Sequence, residues 1–278
     1  MLMKNIPFKT VGPKTAQLIT RLHDRNQLVF DLPTAALLME TDRQHAAGIL
    51  HAAAKRGLVT PIQRGLYNLV PFEMGSVTTH LQDRYELVGA SLGTKPYFFS
   101  HASALDIHRL ATQPSYAVYV STSHRLAKRN LAGSLVHFVT IPAERFFGTS
   151  THDLGQGRVV NVSDVERSLL DGLTLPAYCG GVVEVAKAFF MAKSRLNLDR
   201  LLSYSRQLHR ASVVRRLGFL LEILQLAPAT TLEQLRKTLR GGVTVLDPNL
   251  PTDDARWNGS WGLRLNVTAE ELLEAVSH

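Results

Sequence analysis

The chain opens with a helical pattern. Leu18, Ile19 and Leu22 recur on one face of residues 14–26, while Lys14, Arg21 and Arg25 fall largely off that face. The short apolar run Leu28-Val29-Phe30 predicts a brief strand. Asp31 ahead of Leu32-Pro33 supplies an N-cap and a proline in the first turn of a second helix over 33–39. That helix is expected to bury Ala36, Leu37 and Met39 and to end in a tight turn at Glu40-Thr41. A third helix is predicted over 42–56, opened by a Thr41-x-x-Gln44 capping box and stopped by Gly57. Ala46, Ile49, Leu50 and Ala53 form its core face. Gln44, Ala47, Gly48, His51 and Lys55 lie opposite, flanked by Arg43 and Arg56. Leu58–Ile62 and Leu66–Val70 surround a polar turn containing Arg64 and Gly65, which predicts a β-hairpin. Helix, strand, helix, turn, helix and hairpin is the order of a winged helix-turn-helix.

The remainder is predicted to be a mixed α/β domain with a small sheet and a mostly helical C-terminal half, so the chain is α+β, with domains at 1–72 and 73–278. Pro71 and Gly75 mark a linker. A helix is expected over 79–93 and a strand over 96–99. Ser100 then starts a helix bearing His101, Leu105 and His108, and strands are expected over 116–120, 135–141 and 158–162. Ser163-x-x-Glu166, Thr230-x-x-Glu233 and Thr268-x-x-Glu271 read as capping boxes. Helices are predicted over 164–173, 182–193, 198–208, 212–226, 231–239 and 269–277. Residues 240–267, rich in Gly, Pro, Asp and Asn, read as a long surface tail.

Charge sharpens the reading of the first module. The chain carries +8, with a pI near 9.8. Residues 1–72 hold nine Lys/Arg against four Asp/Glu, and the other 206 hold 22 against 19, so the excess is concentrated where the helices and hairpin lie. Small residues on the exposed side of the third helix suit entry into a major groove. Gln44, Ala47 and His51 are expected to read bases, and Arg43, Lys55, Arg56 and Arg64 to hold phosphates. One such module covers a short half-site, so the expected partner is double-stranded DNA bearing an inverted repeat in the chain's own promoter. Lys128, Arg129, Arg206, Arg210, Arg215 and Arg216 are candidates for a second basic patch.

Catalytic chemistry is not indicated. His101, His108, His124, His137 and His152 have no partners at a metal-ligand spacing, so neither metal nor cofactor is expected. Gly155-Gln156-Gly157 precedes a strand and reads as a turn, not a phosphate loop. Cys179, the single cysteine, reads as a core residue and fits a reducing, cytoplasmic location. The N-terminus has no apolar secretory stretch, and no run is long enough to span a membrane.

Five segments in order carry a resemblance: Tyr97-Phe98-Phe99-Ser100-His101-Ala102-Ser103-Ala104-Leu105, Ser163-Asp164-Val165-Glu166-Arg167-Ser168-Leu169-Leu170-Asp171, Tyr178-Cys179-Gly180-Gly181, Arg215-Arg216-Leu217-Gly218-Phe219-Leu220-Leu221-Glu222, and Trp261-Gly262-Leu263-Arg264-Leu265-Asn266. With the N-terminal module, they resemble the AbiEi-type antitoxins of abortive infection, a phage-defence toxin-antitoxin system. The resemblance implies an antitoxin that represses its own operon and whose partner gene encodes a nucleotidyltransferase-like toxin; direct contact between the two differs among such systems. It singles out Glu166, Arg167, Asp171, Gly180, Gly181, Arg215 and Arg216. Their local chemistry also allows structural roles: Arg167 and Asp171 are one turn apart, and Gly218 suits close helix packing. A one-component regulator with a ligand-sensing second domain is the alternative. A nucleic-acid-processing enzyme is disfavoured by the missing metal and phosphate signatures.

Overall fold

The computed structural model describes residues 9–75, 77–81, 83–155 and 157–277. The fold is α+β and divides into two compact units. The first takes the chain up to Lys95 together with 128–136 and 153–160; the second holds the rest. The first unit therefore runs past residue 72. Among the described residues, no helix is long and apolar enough to cross a membrane.

In the first unit, α1 (Pro13–Asp24), α2 (Leu32–Met39) and α3 (Arg43–Lys55) pack on a three-stranded antiparallel sheet. Its strands are β1 (Val29–Asp31), β2 (Val59–Gln63) and β3 (Leu66–Leu69), in the order β1-β3-β2. The Asp31 carboxylate caps α2 by accepting from Thr34 N–H at 2.8 Å. Leu18, Leu22, Phe30, Leu38, Met39, Leu50 and Leu69 fill the core. Two expectations fail here. Leu37 is 69% exposed, and Leu38 takes the buried position because Ala35, Leu38 and Met39 form the inward stripe. The cap of α3 is Asp42, not Thr41: its carboxylate, a stronger acceptor one residue further on, takes His45 N–H at 2.8 Å. Gly57 does end the helix, at φ +68, and a Cβ there would fall 2.7 Å from Thr78.

The expected helix at 79–93 is shorter, α4 (Arg84–Leu92), with Asp83 capping Tyr85 N–H. Gln82 lies outside the described residues, and Leu81 is exposed. Ahead of α4, His80 is tied to β2 and β3 through Thr60 and the buried Asn68 amide. Leu87 of α4 packs with Val29 and Leu66. The same unit contains β6 (Arg129–Leu131), a strand the sequence pattern did not reveal, paired with residues 134–136.

The second unit places β4 (Tyr97–Phe99) between β5 (Ala117–Thr122), antiparallel, and β9 (Val159–Ser163), parallel. With β7 (Ser134–Thr140) and β8 (Thr149–Asp153), these five strands follow the order β7-β5-β4-β9-β8, with residues 134–136, 153 and 159–160 counted in the first unit. Strand β8 was also unforeseen, since Thr-Ser-Thr-His-Asp lacks apolar alternation. A helical layer follows: α5 (His101–Ile107), α6 (Val165–Thr174), α7 (Val182–Ala192), α8 (Leu198–Gln207), α9 (Ala211–Ile223), α10 (Ala229–Thr238) and α11 (Ala269–Ser277). The Thr268/Glu271 box forms reciprocally, at 3.1 and 2.7 Å. The other two do not. Asp164 caps α6 through Arg167 N–H, and α10 starts at Pro228 with no side-chain cap.

The supposed tail of 240–267 is instead built into the core. It forms β10 (Thr244–Val245), β11 (Arg256–Asn258) and β12 (Leu263–Leu265), in the order β10-β12-β11. Trp261 is fully buried and fits a notch that only glycine at 218 leaves open, because a Cβ on Gly218 would lie 2.0 Å from its ring. Trp261 Nε1 donates to Glu222 at 2.6 Å.

Candidate nucleic-acid interface

Helix α3 has a buried side and a crest. Ala46, Leu50 and Ala53 are buried, whereas Gln44, Gly48, His51 and Lys55 are exposed. The latter stand at i, i+4, i+7 and i+11, one line along the helix. The expected base-reading set shifts accordingly. Ala47 is half-buried at the margin, and Gly48 occupies the crest in its place. A Cβ on Gly48 would meet nothing within 4 Å, and its φ is not positive, so neither packing nor backbone conformation of the free protein requires glycine there. Arg43 and Arg56 stand at the two ends of α3, both exposed, and Arg64 lies on a separate element at the exposed hairpin turn beside Gly65, φ +76.

Two groups stand apart among the cations of α1, α3 and the hairpin. Lys14 Nζ donates to Met39 O at 2.7 Å, and Arg21 donates to Leu38 O and Glu40, both at 2.6 Å. These three bonds tie α1 to the end of α2, where Glu40 adopts a left-handed φ of +50, and so fix the turn into α3. The side chains of Arg43, Lys55, Arg56 and Arg64 make no hydrogen bond or ion pair among the described residues. No acidic residue interrupts α3, and the nearby carboxylates are engaged: Asp31 and Asp42 as caps, Glu40 with Arg21. The hydrogen bond from His45 N–H holds the Asp42 carboxyl below its usual range, so the cap stays ionised.

In the second unit, the residues the resemblance singles out make contacts that hold the fold together. Arg167 is 1% exposed. Its Nε meets Asp171 at 2.9 Å, its Nη1 donates to Arg145 O and Phe147 O, and its plane lies over Phe147 at 4.5 Å. Glu166, expected to close a capping box, instead accepts Asn197 N–H at 2.8 Å at the start of α8. Gly180 and Gly181 take φ +87 and +98, and Val182 N–H after them donates to the buried Asp247 at 2.8 Å. Arg215 and Arg216 cannot serve a basic patch: each is 5% exposed. Arg215 donates to Trp261 O, Arg240 O and Gly241 O, and Arg216 to Leu173 O, Val245 O and Leu246 O. Lys128 and Arg129 belong to the first unit, and the exposed Arg206 and Arg210 to the second. Cys179 is a core residue, and its burial raises the thiol strongly.

A solved structure shares the fold over nearly the whole chain. The crystal structure of RV2827C protein from Mycobacterium tuberculosis is similar over 97% of each chain, with a TM-score of 0.69 and 14% identity. At that identity the likeness shows a shared fold alone. No protein-family model matches, and no curated protein does.

Gly48 was expected on the exposed face of α3 but was not among the residues expected to read bases, where Ala47 was named instead. Its signal was present: a glycine in a helix interior costs about 1 kcal/mol against alanine and asks for a reason.

Proposed function

We propose that residues 9–70 are a winged helix-turn-helix that binds double-stranded DNA, and that the chain is an AbiEi-type antitoxin repressing its own operon. The crest of α3 supports this reading most directly. Gln44 and His51 offer hydrogen bonds to base edges, Gly48 lets the backbone approach, and unpaired Arg43, Lys55 and Arg56 neutralise phosphates. The α1-β1-α2-α3-β2-β3 order, with Arg64 on the hairpin as the wing, supports this reading. Two copies bind an inverted repeat upstream of the gene. The antitoxin role rests on the five resemblance segments in the second unit, and the toxin partner is a nucleotidyltransferase-like protein from the adjacent gene.

A gel-shift titration with the upstream promoter tests the DNA half. Binding to the promoter is expected to exceed binding to random duplex, to fall steeply with salt, and to be lost in Arg43→Ala/His51→Ala. Equal affinity for both duplexes would overturn the reading. Rescue of growth on co-expression with the neighbouring gene product tests the antitoxin half.

A further inference from the structure

The second unit contains a cavity of about 470 Å³ that the DNA-binding reading leaves unused. Tyr119 comes from β5, Tyr178 and Cys179 from the short turn after α6, Glu184 from the first turn of α7, and Gln113 and Tyr116 from the loop before β5. Its size falls in the range of small-ligand pockets, roughly 300–1,000 Å³.

Two of its walls are held rigidly. The rings of Tyr119 and Tyr178 lie 4.9 Å apart at 31°. His137 stacks on Tyr119 at 5.2 Å, and His101 meets Tyr178 edge-on at 5.5 Å. The backbone is bent to make this cluster. Buried His101 adopts φ +52, a conformation that costs a non-glycine residue free energy, and Gly180 sits at φ +87 directly after the turn bearing Tyr178. Tyr116 differs: it is 98% exposed, so its ring contributes nothing to packing in the free protein.

The lining chemistry narrows the ligand. Three tyrosines offer π faces, the Gln113 amide both donates and accepts, and the Glu184 carboxylate accepts from Thr112 and, at 2.9 Å, from Lys187. The Glu184 charge is thus already answered, while each oxygen keeps lone-pair capacity. No Lys or Arg lines the cavity among the described residues, which disfavours a phosphate. Tyr119 and Tyr178 pack on each other instead of facing across a gap, which disfavours an ammonium cage. A neutral planar ring with donors and acceptors on its edge fits both facts.

We infer that this cavity binds a purine base as the free nucleoside, stacked on the tyrosines with its edge toward Gln113 and Glu184. The site uses no residue of α3, so it stands or falls independently of the DNA reading.

Saturation-transfer NMR and calorimetry on the full chain test it, with guanosine, adenosine, cytidine, guanosine monophosphate, choline and a short single-stranded oligonucleotide as probes. Purine nucleosides should bind, cytidine more weakly, and the monophosphate no more tightly than guanosine. Tyr116→Ala should weaken purine binding about tenfold, the scale of one lost base-stacking contact, with an unchanged Tm because the ring touches nothing in the free protein. Glu184→Gln should weaken guanosine more than adenosine, since guanine presents two adjacent N–H donors. Absence of purine binding, indifference to Tyr116→Ala, or uptake of choline or a short single-stranded oligonucleotide instead would overturn the inference.

Discussion

Replacing Gly48 separates what α3 needs in order to fold from what its crest needs in order to bind. Glycine in a helix interior is less favourable than alanine by about 0.5–1 kcal/mol, because it has more backbone freedom to lose. At Gly48 the added methyl meets nothing within 4 Å, so no clash offsets that gain. Gly48→Ala should therefore stabilise the free protein by up to ~1 kcal/mol, raising the melting temperature of the full chain by a few degrees. Gly48→Glu should also leave the free protein at least as stable, since glutamate is the better helix former and the crest is open to solvent. On DNA the two variants diverge. A carboxylate on the line Gln44–Gly48–His51–Lys55 would face phosphates and base-edge acceptors, and such like-charge juxtaposition costs several kcal/mol. At about 1.4 kcal/mol per decade, affinity should drop more than a hundredfold. Melting curves of both variants, and fluorescence anisotropy against the promoter duplex, give the two readouts. Wild-type affinity in Gly48→Glu would refute the crest as the contact surface. Loss of stability in Gly48→Ala would refute the argument that glycine is there for binding.

Other outcomes follow from the second unit. Arg167→Met leaves Asp171 buried without its cation and should destabilise by about 3–5 kcal/mol in denaturant titration, while the double variant Arg167→Met/Asp171→Leu should recover part of that loss. Gly218→Ala should cost on the order of 1–3 kcal/mol by overpacking against Trp261; a Trp257→Phe background isolates the Trp261 emission, which should change. His101 and His108 are both held below the usual histidine range, chiefly by burial. Their unfolded forms take up protons first, so stability should be full above about pH 6.5 and fall as pH drops below it. Melting from about pH 7.5 to 5.5 checks this slope, and His108→Gln should flatten it, because glutamine takes up no proton yet can still donate to Ser163 O, 2.6 Å from His108 Nε2.

The first unit was legible because its signals are local. The 3.6-residue period of Leu18, Leu22, Leu50 and Ala53, the Asp31 cap and the Gly57 stop all act within one or two turns. The capping boxes failed where two acceptors competed for one helix start. Asp42 and Asp164 each follow a hydroxyl residue, and a carboxylate one position later wins the amide. Residues 240–267 failed for the opposite reason. Strands of two or three residues carry too few positions to show a period, and Trp261 reaches the core only because α9 offers the Gly218 notch. No local pattern announces that fit.

The arginines show why charge alone could not locate the site. A formal positive charge in the sequence has two quite different fates in this fold. Lys14, Arg21, Arg167, Arg215 and Arg216 each donate to backbone carbonyls at helix ends or loops, where orphan acceptors collect. A guanidinium with five donors in a planar fork answers several such carbonyls at once, which lysine cannot match. These cations are spent on holding segments together and offer little to a phosphate. Arg43, Lys55, Arg56 and Arg64 have no such acceptor and stay in water. The pattern that separates the two sets is geometric: whether a chain end or loop carbonyl lies within reach of the side chain. Arg215 and Arg216 sit in an apolar run on α9, a setting equally compatible with a surface patch until Trp261, Val245 and Leu246 are seen to fold back over them. On the DNA-binding proposal, the electrostatic footprint would come from cations the fold has left unused, not from the net charge of the chain.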